Sequence, residues 1–237
     1  NIGLFKELLP GATIHDLTIN ALMQGIHDNG GALAGKSSGN VTIANVNVEG
    51  SINSDNHTNI GGFIGYVAGD ITFTDCSLTA FVQGNNAVGG IIGRFAGGTL
   101  TINDFANSKT EKDKLGNVKE YYSPFSVSAT ADNAGGLVGY VDAGSTVNVE
   151  DITLLHSVQA EDGSVKAVSA DGSNVGGLFG SLNSVASCTI EDVLINAPVY
   201  GGNNVGGMMG YVNLAADISM EKCVFSSVAG GKDCVGG

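Results

Sequence analysis

A short phrase, Asn-apolar-Gly-Gly-apolar-apolar-Gly, returns through the whole chain. Its glycines start at Gly31 (as Gly-Ala-Leu-Ala-Gly), Gly61, Gly89, Gly135, Gly176 and Gly206, with a shortened copy at Gly3 and a truncated one at Gly236. The intervals are 28, 30, 28, 46, 41, 30 and 30 residues. A chain that repeats at this period builds a stack of similar units, each touching its neighbours, in place of one globular core.

Between the glycine phrases lies a second one, apolar-Thr-apolar-x-Asp/Asn-apolar. Its copies are Ala12–Leu17, Val41–Val46, Ile71–Cys76, Leu100–Phe105, Val147–Ile152, Cys188–Val193 and Ile218–Cys223, with some drift in the later ones. The first three positions alternate as a strand with one buried face does. The Asp or Asn marks a corner that needs left-handed or side-chain-closed backbone. Alternation then resumes in a new phase, for example at Val46 and Val48 or at Val193 and Ile195. Two strands around a corner, plus one on the glycine phrase, make three strands per unit. No sustained 3.6-residue period calls for a core helix.

The expected fold is therefore all-β: a parallel β-helix of about seven coils of roughly 30 residues, two of them longer, right-handed by the rule for parallel crossovers. Like residues should stack in columns about 4.8 Å apart. Ala12, Val41, Ile71, Leu100, Val147, Cys188 and Ile218 form one interior column, and Ile14, Ile43, Phe73, Ile102, Val149, Ile190 and Met220 another. Residues 1–237 read as a single β-helix domain cut from a longer polypeptide. The long intervals place insertions near 107–124 and 156–172, where a rigid scaffold often carries its function.

Charge bounds the partners. A formal net charge of −13 disfavours nucleic acid and anionic membrane surfaces, and no apolar run is long enough for a membrane span. The four cysteines read as buried free thiols acting as small hydrophobes. Cys188 sits in an interior column, Cys76 and Cys223 share a position four coils apart, and Cys234 falls in a variable one. The four histidines, His15, His27, His57 and His156, read as exposed and unrelated.

The glycine phrase is recognisable. Gly61-Gly62-Phe63-Ile64-Gly65, Gly89-Gly90-Ile91-Ile92-Gly93, Gly135-Gly136-Leu137-Val138-Gly139 and Gly176-Gly177-Leu178-Phe179-Gly180, with Thr74-Asp75-Cys76-Ser77 between copies, resemble the GLUG repeat of bacterial secreted and surface proteins. The resemblance covers essentially the whole chain. It implies an adhesin-like, extracellular or cell-surface location and neighbouring domains on the same polypeptide. It supplies no active site to carry over.

Candidate chemistry is sparse. Gly30 to Ser37 matches the phosphate-loop pattern letter for letter, but it is one more repeat copy with a strand after it, and there is no room for the helix that motif needs. Asp75, Asp104, Asp151 and Asp192 fall at the corner in four successive coils. They are candidates for Ca²⁺, which wants several oxygen ligands, and for the acidic cluster of a polysaccharide-active enzyme. Asn45 and Lys222 in the same column favour plain corner chemistry. Counted as one strand, the glycine phrase is apolar on both faces, so either another layer covers it or it is a partner-binding stripe. Tyr66, Tyr140 and Tyr211 come after the phrase at one position and are the ligand-binding candidates, suited to a glycan or a host or extracellular protein. The leading expectation is a non-catalytic stalk or adhesin-like binding module with no cofactor. The alternatives are a carbohydrate-active enzyme or its substrate-binding portion, and a passive spacer.

Overall fold

The computed structural model describes residues 1–112, 118–122, 125–156, 167–213 and 217–237. The chain is all-β, with 69% strand and no helix among the described residues. Three parallel sheets stack into a parallel β-helix. The long sheet holds the Thr-rich phrases together with the residues just beyond each corner, from Thr13–Gln24, Val41–Asn53 and Ile71–Gly84 to Asp217–Phe225. Its seven strands that carry the Thr-rich phrase turn at the left-handed corner residue, Asp or Asn in six and Lys222 in the last, into two arms, while Ser126–Ala129, Val168–Ala170, Val199–Tyr200 and Ala229–Gly230 have no corner of their own. Ile71–Gly84 pairs with Thr99–Ala106 on both sides of the Asp75 corner, from Ile71 to Ser77, and then with Ser126–Ala129 from Phe81 to Gly84, the insertion hairpin leaving the coil between the two partners. The glycine sheet runs from Gly30–Gly31 through Thr58–Gly61 and Asn86–Gly89 to Asp233–Gly236. The tyrosine sheet runs from Phe5–Leu8 through Ile64–Ala68 and Ile92–Phe95 to Met209–Asn213.

The expected columns are present, but they are interior only away from the ends: Ala12, Ile14 and Ile218 in the first and last corner-bearing coils are half-buried and Met220 is 45% exposed. Val41, Ile71, Leu100, Val147, Cys188 and Ile218 are successive register partners, and so are Ile43, Phe73, Ile102, Val149, Ile190 and Met220. Ile43, Phe73 and Ile102 are fully buried, as are Val46 and Val48 beyond the corner. Phe63 closes the interior, with its ring 5.7 Å from that of Phe73 and 6.1 Å from that of Phe105, both edge-on. Such aromatic geometry contributes beyond the buried area alone.

The glycine phrase is not one strand, and its two-faced apolar pattern has a different cause. The phrase ends a glycine-sheet strand, bends at its second glycine and next residue, and enters the tyrosine sheet. The covering layer is the chain itself. At Gly61 an added Cβ would lie 2.1 Å from the Ile64 carbonyl oxygen of the same copy. At Gly65 it would lie 2.4 Å from Asn29 C and Gly30 N of the preceding coil. Gly93, Gly139 and Gly210 repeat the second situation, each against the backbone of the coil before. The first and third glycines thus let the two sheets meet backbone to backbone, which buries Ile64, Ile92, Val138 and Phe179 completely. No exposed apolar stripe results at these positions.

The insertion near 107–124 contains an antiparallel hairpin, Ser108–Lys112 with Val118–Tyr122. Buried Asn107 anchors its base, accepting a hydrogen bond from Leu155 N at 2.7 Å and donating to the Leu155 carbonyl. Of the second insertion, 157–166 lie outside the described residues, and the coil continues at Val168–Ala170. The phosphate-loop lookalike is two strands, Gly30–Gly31 and Ala34–Ser38, ahead of the strand Val41–Asn53.

All four thiols are free, but they are not all buried. Cys76 and Cys188 are, and desolvation pushes their thiols up to about 11 and about 12. Cys223 is half-buried and Cys234 exposed. Cys234 is not in a variable position either: it holds φ 53°, in line with Asn204 at 53° in the coil before. A thiol reagent at neutral pH is expected to modify Cys234 quickly and Cys223 more slowly. Cys76 and Cys188 should react only on unfolding, because the thiolate is the nucleophile. Four equal slow reactions would contradict this placement.

Candidate functional site

The corner is a column of left-handed residues. Asp16, Asn45, Asp75, Asp104, Asp151, Asp192 and Lys222 have φ between 50° and 56°. For an ordinary L-residue that conformation costs roughly 1–2 kcal/mol, and Asn and Asp tolerate it best. Corner geometry therefore explains the residue type. At one end of the column Asn45 donates to Asp16 at 2.6 Å. Hydrogen bonds from His15 and Asn45 hold the Asp16 carboxyl below its ordinary value. At the other end Lys222 Nζ lies 3.2 Å from Asp192 and 3.3 Å from Glu191, and both partners raise its pKa.

Because the corner tilts the second arm, the outward face of that arm forms the floor of a groove of about 550 Å³. Four successive coils supply its lining. Thr18 and Asn20 come first, then Asn47 and Glu49, then Ser77 and Thr79, then Ala106 and Ser108, with Asn45, Asp75 and Asp104 along the corner edge. Ser77 donates to Asn47 at 2.6 Å, tying two rungs together. The insertion hairpin starts at Ser108, so the groove lies beside it, and the first hairpin strand runs close to Ile71–Gly84.

The structure brings Asp75 and Asp104 into this groove. Asp151 and Asp192 continue the same column outside its lining. Among the described residues no three His, Cys, Asp or Glu side chains converge to hold a metal ion. The Ca²⁺ reading of the column thus has no ligand cluster to build on.

One residue outside both repeat phrases stands at the groove margin. Phe81 is two residues beyond Thr79 on the same outward face and is 54% exposed, between Ser51 and Ser126 of the flanking coils. Phase alone could have found it. The alternation that buries Leu78, Ala80 and Val82 turns Phe81 outward.

The tyrosine candidates lie on another face. Lys36, Tyr66, Arg94, Tyr140, Ser181 and Tyr211 are successive register partners along the tyrosine sheet. Tyr66 and Tyr140 therefore flank Arg94, whereas Tyr211 is separated from them by Ser181. The Arg94 guanidinium sits 5.4 Å from the Tyr140 ring centroid and grips Asp142 through two bonds of 2.8 and 2.9 Å. Hydrogen bonding to Asp142 raises the Arg94 pKa further.

The histidines are more ordered than expected. His27 and His57 do share a column, with rings 4.8 Å apart, and Asp28 contacts His57 Nδ1 at 3.3 Å. The Thr58 backbone N–H is the main cause that lowers the Asp28 carboxyl. His156 is half-buried, and burial holds its imidazole below the ordinary value.

Fold and groove together define a β-helical solenoid with a lateral polar cleft. No family model matches the chain, and neither a curated protein nor a solved structure matches it. No helix among the described residues is long and apolar enough to cross a membrane.

Proposed function

We propose that this chain is a non-catalytic binding module of an extracellular or cell-surface protein, adhesin-like in the manner of the GLUG repeats it resembles. It acts as a rigid rod that takes a polysaccharide or glycan chain along the groove. The observation that carries this reading is the groove floor: hydroxyls, side-chain amides and carboxylates repeated over four coils at the spacing of the β-helix. Such a ladder offers donors and acceptors in series to an extended polyhydroxy ligand. Phe81 adds an apolar face at the margin on which a sugar ring can rest.

The test is a screen of the purified segment against arrayed glycans and mucin-type glycoproteins, with Ca²⁺ and with chelator. Saturable binding to one glycan class is expected, independent of chelator. Phe81→Ala should weaken it about five- to tenfold, near 1 kcal/mol, while leaving the melting temperature within about 1 °C because the ring is largely outside the core. No binding in either buffer would turn the reading to a passive spacer. Glu49, Asp75 and Asp104 on one groove give the enzymatic alternative its specific support. Release of new reducing ends from a bound glycan, abolished by Asp75→Asn or Asp104→Asn, would establish it in place of simple binding.

A further inference from the structure

A second left-handed column precedes the glycines: Asn29, Asn59, Ala87, Asn133, Asn174, Asn204 and Cys234, with φ between 53° and 63°. Its asparagines form a ladder in which each Nδ2 donates to the Oδ1 of the coil before. Asn29 donates to Asn1 at 3.1 Å, Asn59 to Asn29 at 2.8 Å, Asn174 to Asn133 at 3.0 Å and Asn204 to Asn174 at 2.9 Å. Ala87 breaks the run. Asn133 donates one place out of column, to Asn86 Oδ1 at 2.8 Å. Among the described residues nothing donates to Asn59 Oδ1.

The missing amide leaves a recess of about 260 Å³, lined by Thr58, Asn59, Asn86, Ala87, Arg94, Asn133 and Tyr140. Its unused hydrogen-bonding groups are of both kinds. Asn59 Oδ1 is an acceptor and Asn86 Nδ2 a donor. Arg94 spends Nε and Nη2 on Asp142 and keeps Nη1 as a donor. Tyr140 adds a phenol and an aromatic edge.

We propose that this recess is a binding site for a single neutral sugar ring. Adjacent donor and acceptor amides suit vicinal hydroxyls, which both give and accept. The volume admits one ring and not a chain. An anion is disfavoured, because Arg94, the cation in the lining, is already neutralised by a bidentate carboxylate. The site lies on the glycine and tyrosine sheets, shares no residue with the groove, and stands whether or not the groove binds.

The test uses amide and guanidinium NMR signals of the whole chain, titrated separately with glucose, galactose, mannose and N-acetylglucosamine, and with phosphate and acetate as anionic comparators. At least one sugar should shift the Asn59, Asn86 and Arg94 side-chain signals saturably, with a Kd on the order of 1 mM. Ala87→Asn should complete the ladder, raise the melting temperature by about 3 °C and weaken that sugar about tenfold or more by filling the recess. Arg94→Lys keeps the charge beside Asp142 but removes the fork, and should weaken binding about fivefold. Phe81→Ala should leave this site unchanged. Absence of a saturable shift with every sugar, unaltered binding in Ala87→Asn or in Arg94→Lys, or preference for phosphate or acetate would overturn the proposal.

Discussion

Gly135→Ala is expected to leave the chain unable to form a stable fold. A Cβ at Gly135 would sit 2.1 Å from the Val138 carbonyl oxygen, 2.7 Å from Gly180 N and 2.8 Å from the Leu178 carbonyl oxygen. All three obstacles are backbone, so no rotamer change relieves them. Two come from the next coil, so relief means parting coils whose ladder bonds run through this point. The cost should be about 3 kcal/mol or more, at or beyond the upper end for overpacked sites, read as a collapse of the thermal transition or loss of soluble protein. Gly236→Ala is the matched control, because a Cβ there meets nothing within 4 Å, and it should change stability by no more than about 0.5 kcal/mol. A Gly135→Ala protein melting like the parent would sink the account of the tight bend. The second glycine meets an equally close contact, a Cβ at Gly136 lying 2.1 Å from the Gly177 carbonyl oxygen, and Ala32 is the departure from glycine at that position.

Phe63→Ala should cost about 3–5 kcal/mol. Phe63 is wholly buried and its ring meets those of Phe73 and Phe105, so truncation opens a cavity where the bend, the first arm and the second arm of the long sheet converge. Neighbouring coils hold the surrounding backbone in register on both sides, which limits how far the site can collapse. Phe63→Leu fills most of the space and should cost about 1–2 kcal/mol. Chemical denaturation with an unchanged m-value would show that the loss is in stability and not in the extent of unfolding. Equal stability of Phe63→Ala and the parent would mean the ring is not at the centre of the core.

The solenoid, its columns and the corner are legible because they depend on spacing, and spacing survives in one sequence. Asp75 and Lys222 occupy similar φ at the same place in the repeat although their chemistries are opposite. The glycine bend escapes pattern counting for a physical reason. Period-2 counting assumes a continuous pleat, and two adjacent residues without side chains are where the pleat can break and restart in another sheet. The asparagine at the head of the phrase is visible in the sequence, but its ladder is not, because side-chain bonds between coils need the stacking to be known first. The groove depends on the tilt at the corner and on where the Ser108 hairpin leaves the coil. Neither is written in a local pattern.

The asparagine ladder also gives the rod an electrical direction. Every amide in it points the same way, with nitrogen toward the preceding coil and oxygen toward the following one. Aligned hydrogen-bonded dipoles polarise one another, so the row is a one-way wire and not a set of isolated contacts. The interruption at Ala87 cuts that wire and leaves the negative terminal of the Asn1–Asn29–Asn59 run at Asn59 Oδ1. A rod assembled from near-identical coils is thereby polar along its axis, and a ligand reaching Asn59 meets an oxygen strengthened by two amides it never touches.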